Sequence, residues 1–245
     1  MNFPERIGNE ENYYFKNSFG MLSQKFYYAD NYIDGFALVK VNENSAWQFR
    51  DVNGNLSDEF YYANPYSCGF ATVMKEENGF YYYRDKDGNL SEPFAFAGIY
   101  SYGFGLVKKE KDGSFQFRDI EGNLSEEYIV AGPYQFGVAL TKKTETSPYN
   151  FIDLYGNKSE DFYSATLYKD GYAIVQRAKN GKTLFRDAFG RISEQPTEIG
   201  DYAYKYMKGD IQKRDIPRSL FFDESFRLNI LSEEIRREKL NRIII

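Results

Sequence analysis

The sequence predicts an all-β protein made of tandem 34-residue repeats, each a three-stranded antiparallel unit. Two columns of residues recur with no residue gained or lost between copies, and one stretch in each copy alternates apolar and polar side chains. The columns are Gly35, Gly69, Gly103, Gly137 and Gly171, and Asp51, Asp85, Asp119, Asp153 and Asp187. A fixed period of this size indicates one supersecondary unit copied in tandem. Alternation is the pattern of a strand with one buried face.

The first two strands of each repeat are predicted from residue type. The repeat glycine opens a short run rich in β-branched or aromatic residues, such as GFALV at 35–39, which is typical of a strand. In the second strand, Trp47 and Phe49 point to one side and Arg50 to the other. The equivalent arginines of other copies are Arg84, Arg118 and Arg186. We therefore expect one apolar face and one arginine-bearing face.

A turn follows the second strand and reads Asp-x-x-Gly-Asn in four copies and Asp-Ala-Phe-Gly-Arg in the fifth. The aspartate accepts hydrogen bonds from the turn backbone, and the glycine supplies the left-handed conformation. Residues 84–89 also resemble a calcium loop, but such a loop needs more oxygen ligands. Its sister copies carry Val52, Ile120 and Leu154 inside the turn. We interpret the column as turn chemistry and predict no metal site.

The third segment contributes three further columns. They are aromatic (Phe60, Phe94, Tyr128, Phe162), alanine (Ala29, Ala63, Ala97, Ala131, Ala165) and tyrosine (Tyr32, Tyr66, Tyr100, Tyr134, Tyr168, Tyr202). The alanines suggest close approach of neighbouring strands or units. A tyrosine of this kind needs an apolar slot and a partner for its hydroxyl group. We therefore expect a structural role for the tyrosine column rather than a binding site.

The repeat array is predicted to cover residues 1–209, with five full repeats over 35–204 and partial repeats at both ends. The first 34 residues match from the second strand onward, so the chain is expected to begin inside a unit. At the other end only a first strand, residues 202–207, is recognised, with Lys205 in place of the repeat glycine. Pairing of 202–207 with 13–15 would close a propeller-like ring without free edges. An open β-solenoid with capped ends is the alternative.

Residues 210–245 are predicted to form a C-terminal cap with a helix at about 232–243. Ser232 suits the N-cap position, Glu233 and Glu234 the first turn, and Arg236 and Arg237 follow later. This order complements the helix dipole. The helix would cover the last sheet edge, or alternatively dock a partner.

Composition limits the chemistry. The chain has no histidine, which excludes Ser-His-Asp and Cys-His catalysis and any histidine-ligated metal. Cys68 is the single cysteine, predicted to be a small packing residue. The formal net charge is −5 and basic residues are spread along the chain, so no nucleic-acid footprint is visible. We predict no catalytic residue, cofactor or metal.

The N-terminal segment and the overall hydropathy predict a cytoplasmic location. Residues 1–14 carry Glu5, Glu10 and Glu11 and lack the apolar core of a signal peptide. No run of about 18 apolar residues exists that would span a membrane.

The order and spacing of these columns resemble the bacterial WG repeat family over roughly residues 13–207. In one unit the match is carried by Gly69, Ala71, Val73, Tyr83, Asp85, Gly88, Phe94, Ala97, Tyr100 and Gly103. The Trp-Gly pair that names the family is absent, since Trp47 is followed by Gln48. The chain is thus similar to a divergent branch. The resemblance implies a β-rich interaction module, with no shared activity and no catalytic residues.

We expect the protein to be a non-enzymatic binding or scaffold module whose partner is another protein. The repeats offer arginine, tyrosine and acidic columns, but no unique reactive cluster. The loops at 76–79, 110–113 and 143–148 are expected to crowd one face, where a partner would bind.

Two alternatives remain open at the level of sequence. A carbohydrate or cell-wall module would use the rings of Trp47, Tyr61, Tyr62, Tyr81 and Tyr82 as stacking faces. A propeller-type hydrolase would need two carboxyl groups about 5–10 Å apart with separated pKa values. Acids outside the repeat columns, such as Glu76, Glu77 and Asp112, fall in predicted hairpin loops.

Overall fold

A computed structural model describes residues 3–222, 224, 227–231 and 234 of the chain. The described part is mostly β-structure, with the α-helix α1 (Glu198–Lys208), short 3-10 helices at Lys213–Asp215 and Arg218–Phe222, and helical backbone at 227–231. The strands are β1 (Glu5–Asn9), β2 (Asn12–Lys16), β3 (Tyr28–Ala29), β4 (Phe36–Lys40), β5 (Gln48–Asp51), β6 (Tyr62–Ala63), β7 (Ala71–Met74), β8 (Tyr81–Arg84), β9 (Phe96–Ala97), β10 (Gly105–Lys108), β11 (Gln116–Arg118), β12 (Val130–Ala131), β13 (Val138–Lys142), β14 (Tyr149–Asp153), β15 (Ser164–Ala165), β16 (Tyr172–Gln176), β17 (Leu184–Asp187) and β18 (Ile192–Ser193).

The predicted all-β repeat fold is confirmed, because the strands form small antiparallel sheets that recur along the chain. The sheets are β1-β2, β3-β4-β5, β6-β7-β8, β9-β10-β11, β12-β13-β14 and β15-β16-β17-β18. Each three-stranded sheet joins the end of one repeat to the first two strands of the next. The third segment divides: Phe60 bridges Trp47 in its own repeat, whereas β6 pairs with β7 of the next repeat. Each sheet is therefore shared between two repeats.

The chain forms two compact units, Met1–Ser125 and Glu126–Ile245. The first contains β1 to β11, and the second contains β12 to β18 and α1. Each has aromatic cores that mix residues of consecutive repeats. One such core in the first unit contains Leu38, Phe49, Phe60, Tyr66 and Ala71, all buried. Each large apolar side chain removed from water in this way contributes about 1.5–3 kcal/mol before entropic costs.

The repeat glycine lies in a two-residue hairpin turn rather than at the start of a strand. Gly69 has φ 84° and the residue before it, Cys68, has φ 52°. Positive φ at both central residues is the geometry of a type I′ turn, which matches the twist of the flanking strands. The same pairs of positive φ recur at 34–35, 102–103, 136–137 and 170–171. Cys68 is half-buried against the Tyr83 core, in keeping with its predicted packing role.

The prediction that the chain begins inside a unit is wrong, because β1 supplies the missing first strand. Arg6 lies opposite Phe15 in β1-β2, as Leu38 lies opposite Phe49 in β4-β5. β1 shares no residue pattern with the later first strands. Backbone pairing across a two-residue turn is enough to hold it in this register.

The predicted strand at 202–207 is also wrong, because these residues belong to α1. The Thr197 side chain caps the helix by accepting from the backbone N–H of Gly200, and Gly209 closes it in a left-handed conformation. Ala203, Tyr206 and Met207 fall on one helical face and are buried. Pairing of 202–207 with 13–15 therefore does not occur, and the fifth repeat ends its sheet at β18. The choice between closed ring and open solenoid stays a prediction.

The predicted helix at about 232–243, with Ser232 as its N-cap, lies mostly outside the described residues. Helical backbone is already present at 227–231, before the predicted start. Within the described part of the chain, no helix is long and apolar enough to cross a membrane.

Candidate functional site

The tyrosine and arginine columns meet in the interior, where they link neighbouring repeats. The hydroxyl group of Tyr100 donates to the carbonyl oxygen of Asp119 (2.9 Å) and accepts from Nη1 of Arg118 (2.7 Å). The Arg118 guanidinium lies over the rings of Phe70 and Tyr83, with centroids 5.7 Å away. Tyr100 is 2% exposed and Arg118 is 9% exposed. At this junction the two side chains therefore hold the repeats together and do not form an accessible surface.

The same arrangement recurs and confirms the structural role predicted for the tyrosines. The further pairs are Tyr32 with Arg50, Tyr66 with Arg84 and Tyr168 with Arg186. Tyr134 donates to the carbonyl oxygen of Asp153 (3.3 Å), but Ile152 replaces the arginine. Burial raises the pKa of Tyr66, Tyr100 and Tyr168 to about 12. These side chains are neutral donors at neutral pH.

The aspartate column performs the predicted turn chemistry. A carboxylate oxygen of Asp51 accepts from the backbone N–H of Asn53 (2.9 Å) and Asn55 (2.8 Å), and the other accepts from the Asn55 side chain. Burial raises the pKa of Asp51, but these hydrogen bonds outweigh it and hold the pKa below its ordinary value. Asp85 accepts from Asn89 in the same way. The oxygens that a calcium loop would offer are thus bound to the turn.

A hydrolase needs a general acid whose pKa is raised, whereas two of the described glutamates have a lowered pKa because basic side chains bond them. Lys143 bonds Glu126 and lowers its pKa, and Arg177 bonds Glu160 through two nitrogens (2.7 and 3.0 Å) and lowers its pKa. Within the described part of the chain, no three carboxylate or thiol groups converge as a metal site would require.

One partly exposed feature of the first unit is a row of side chains across the end of each three-stranded sheet, next to its hairpin loop; of the row members only Met74 is buried. Opposed residues of the first two strands form each row, together with the ring that begins the third strand or directly precedes it. We call these sets the aromatic rows: Tyr28, Lys40 and Trp47; Tyr62, Met74 and Tyr81; Phe96, Lys108 and Phe115. Because directly opposed residues project to the same face, the outer two side chains of each row meet.

The rings of each row meet edge to face. Centroid distances are 5.2 Å for Tyr28–Trp47, 5.9 Å for Tyr62–Tyr81 and 6.2 Å for Phe96–Phe115, with interplanar angles of 84°, 87° and 89°. Tyr62 is 37% exposed and Phe96 is 40% exposed. Edge-to-face pairs of this kind are rigid and stabilising, so the rows present ordered apolar area to solvent.

Two of the three rows contain a lysine, which places a positive charge among the rings. Nζ of Lys40 lies 5.1 Å from the Trp47 ring centroid and that of Lys108 lies 4.2 Å from Phe115. In the middle sheet the buried Met74 takes the place of the lysine, and Lys75 lies over Tyr82 at 5.7 Å on the other face of the sheet from Tyr81. A cation over a ring face is attracted by the ring quadrupole. It also covers a face that a sugar would need for stacking.

The structure brings together some of the predicted stacking residues and separates others. Tyr62 and Tyr81 share a row, whereas Trp47 pairs with Tyr28 of the same sheet. Tyr61 is 52% exposed beside the row, and its hydrogen bond to Glu77 raises its pKa. Tyr28, Phe96 and Phe115 were not identified from the sequence as partly exposed ring positions. A 19-residue spacing between ring positions, repeated every 34 residues, is the sequence signal that would have revealed all three pairs.

Comparisons with known proteins identify no family. No family model matches the chain, and no curated protein matches it. Among solved structures the chain is similar to virginiamycin B lyase from Staphylococcus aureus (9% identity, 77% of this chain and 78% of that one, TM-score 0.34). It is also similar to Kluyveromyces lactis Hsv2 (9% identity, 86% and 75%, TM-score 0.39). Likeness at this level carries no information on site or activity.

Proposed function

We propose that the chain is a non-enzymatic module that binds another protein through the aromatic rows. The observation that supports this proposal is that three ordered ring pairs lie outside the repeat columns and are partly exposed. Aromatic side chains dominate the energetics of protein interfaces. Lys40 and Lys108, each in one row, favour a partner segment that places carboxylates beside its apolar side chains.

The family and the cellular location belong to the same proposal. The residue columns favour a divergent WG repeat protein, and the acidic N-terminal segment favours a cytoplasmic location. The hairpin loops at 76–79 and 110–113 follow β7 and β10 and therefore border the rows, as expected for loops that surround a binding surface.

Affinity capture with a matched control tests the proposal. The double variant Tyr62→Ser/Phe96→Ser removes two exposed row rings, and Phe19→Ser/Tyr155→Ser removes two rings that are 85% and 77% exposed in turns outside the rows. We expect wild type and the turn variant to retain the same protein from a native lysate, and the row variant to lose it at least about tenfold. Equal retention by the row variant would refute the proposal.

Carbohydrate binding is the second candidate, favoured by the exposure of Tyr61 and Tyr62. The edge-to-face pairing and the overlying lysines reduce the free ring area that sugars stack on. A glycan array screened with wild type and the row variant separates the two proposals, because only a sugar site would give row-dependent signals there.

A further inference from the structure

A second binding feature lies at the edge of the first sheet and does not depend on the aromatic rows. In every three-stranded sheet, the first strand of a repeat is paired along its outer edge by residues from the preceding repeat. In the β3-β4 pair, the carbonyl oxygens of Leu38 and Lys40 accept from the N–H groups of Asp30 and Tyr27, both at 2.9 Å. The bond equivalent to Asp30–Leu38 recurs at Asn64–Thr72, Gly98–Leu106, Gly132–Leu140 and Thr166–Ile174.

β1 lacks this partner within the described part of the chain. Its sheet contains β1 and β2 alone. The register places Arg6 and Gly8 at the positions of Leu38 and Lys40. Asn9 and Asn12 flank the two-residue turn and form a hydrogen-bonded pair. Because hydrogen-bonded and non-hydrogen-bonded pairs alternate along an antiparallel ladder, the N–H and C=O groups of Arg6 and Gly8 point away from β2. No described residue donates to either carbonyl oxygen, and four of the five β1 residues are exposed.

We propose that β1 pairs with an extended segment of another protein, which adds to the sheet as an antiparallel strand. This segment carries an alanine three residues before a tyrosine. Exposed strand edges bind peptides through backbone hydrogen bonds, and alternate side chains give specificity. The chain contains five templates for such a ligand, each already paired to an equivalent strand. They are residues 28–32, 62–66, 96–100, 130–134 and 164–168, which read YADNY, YANPY, FAGIY, VAGPY and SATLY.

The templates define the chemistry of the ligand. Their alanine lies on the strand that pairs with the sheet. Ala29, Ala63 and Ala97 are 1%, 6% and 6% exposed, and Ala131 and Ala165 are partly buried, so this position favours a small side chain. The next residue supplies the N–H that bonds the acceptor strand. The position after it tolerates proline, as at Pro65 and Pro133, because no N–H is needed there.

The corresponding segment after the fifth repeat does not supply this strand, which favours an external ligand. Residues 198–202 keep the tyrosine of the pattern at Tyr202, but they carry Ile199 in place of the alanine and are helical. The helix is capped at both ends, and Ala203 is fully buried in the core of the second unit. A second copy of the chain would have its other templates paired within its own sheets.

Fluorescence anisotropy with a labelled peptide of residues 58–67 tests the proposal on the full chain. This segment includes the YANPY template, and the N–H of its Asn64 is a required donor. Arg6→Pro removes the outward N–H of β1, whereas Arg6→Ala keeps it and loses the same side-chain contacts to Ala29 and Tyr13. We expect Arg6→Ala to bind within about threefold of wild type and Arg6→Pro to bind at least about tenfold more weakly. N-methylation at the Asn64 position of the peptide should weaken binding by a similar factor.

Several outcomes would overturn this assignment. They are absence of peptide binding to wild type, equal binding by Arg6→Pro, and binding that appears only after residues 235–245 are removed, which would show that the chain's own end covers β1. Self-association that Arg6→Pro abolishes would make a second copy the occupant instead. The Tyr62→Ser/Phe96→Ser variant should bind the peptide as wild type does, so failure here and failure of the proposed function are distinguishable.

Discussion

At the residue scale, exceptions within a column are as informative as the column itself. Five copies carry phenylalanine at one core position of the second strand, and the sixth carries Tyr83, whose hydroxyl group donates to the carbonyl oxygen of Gly98 (2.8 Å). In the following repeat, Gly105 replaces the alanine found in the other copies. A Cβ atom at position 105 would lie 2.3 Å from the Tyr83 hydroxyl oxygen. The two exceptions therefore compensate each other.

We predict that Gly105→Ala destabilises the protein by about 1–3 kcal/mol, because the added methyl group overpacks the site. Tyr83→Phe alone should cost about 1 kcal/mol through the lost hydrogen bond. The double variant restores the phenylalanine–alanine pair of the other copies, such as Phe49 and Ala71, and should recover most of the loss. Urea unfolding of the four proteins gives the coupling energy. Additive effects of the two changes would contradict the compensation.

The residue scale also shows where sequence interpretation failed at the candidate site. The alternation of side chains along the second strand correctly placed Arg50 and its equivalents opposite the apolar face. It did not show that neighbouring repeats also pack on the arginine-bearing face. Arg118 is buried because the preceding repeat places Phe70 and Tyr83 over it. Such coverage depends on neighbours in space.

At the element scale, α1 shows how local capping overrides a repeat pattern. Tyr202 keeps the phase of its column, yet Lys205 replaces the glycine that a type I′ turn requires. Thr197 and Gly209 supply the two caps, and the Tyr172 hydroxyl group donates to Asp201 (2.8 Å) and docks the helix on β16. The segment that would begin a sixth repeat lacks the turn glycine and has a capping residue at each end, so it forms a helix instead of a strand.

We predict that Thr197→Ala lowers the stability of α1 by about 1 kcal/mol, because the backbone N–H of Gly200 loses its acceptor. Hydrogen exchange should accelerate about fivefold across residues 198–208, while β4 and β7 in the first unit keep their protection. Thr146→Ala, in an exposed hairpin loop, is the matched control and should leave exchange in α1 unchanged. Unaltered exchange in the Thr197 variant would show that docking alone holds the helix.

At the scale of the whole molecule, stability depends on contacts between successive repeats, as in other repeat proteins. The tyrosine of one repeat reaches the turn carbonyl group of the next, and the arginine of that repeat reaches back over the preceding rings. This linkage makes the array sensitive to alkaline pH. Raised tyrosine pKa values mean that the folded state holds protons that the unfolded chain releases.

We predict loss of stability between about pH 10 and 12. Unfolded tyrosine has a pKa near 10, whereas Tyr66, Tyr100 and Tyr168 have folded pKa values of about 12 because they are buried. Their stabilising contribution is therefore complete below pH 10 and is lost as the pH rises through 12. Absorbance at about 295 nm should show exposed tyrosines ionising first, and the buried group ionising together with loss of the sheet circular dichroism signal. A single tyrosine titration near pH 10 with the sheets intact would contradict this linkage.

Local periodicity and turn chemistry are sufficient to predict the repeat period, the strand and turn order and the structural role of the Asp and Tyr columns. Tertiary structure decided which strands share a sheet, that β1 completes the first unit, that residues 198–208 are helical, and which rings remain exposed. Sheet membership and burial depend on which elements pack against each other in space. The sequence pattern does not specify that packing, because the same residue type occupies both buried and exposed positions.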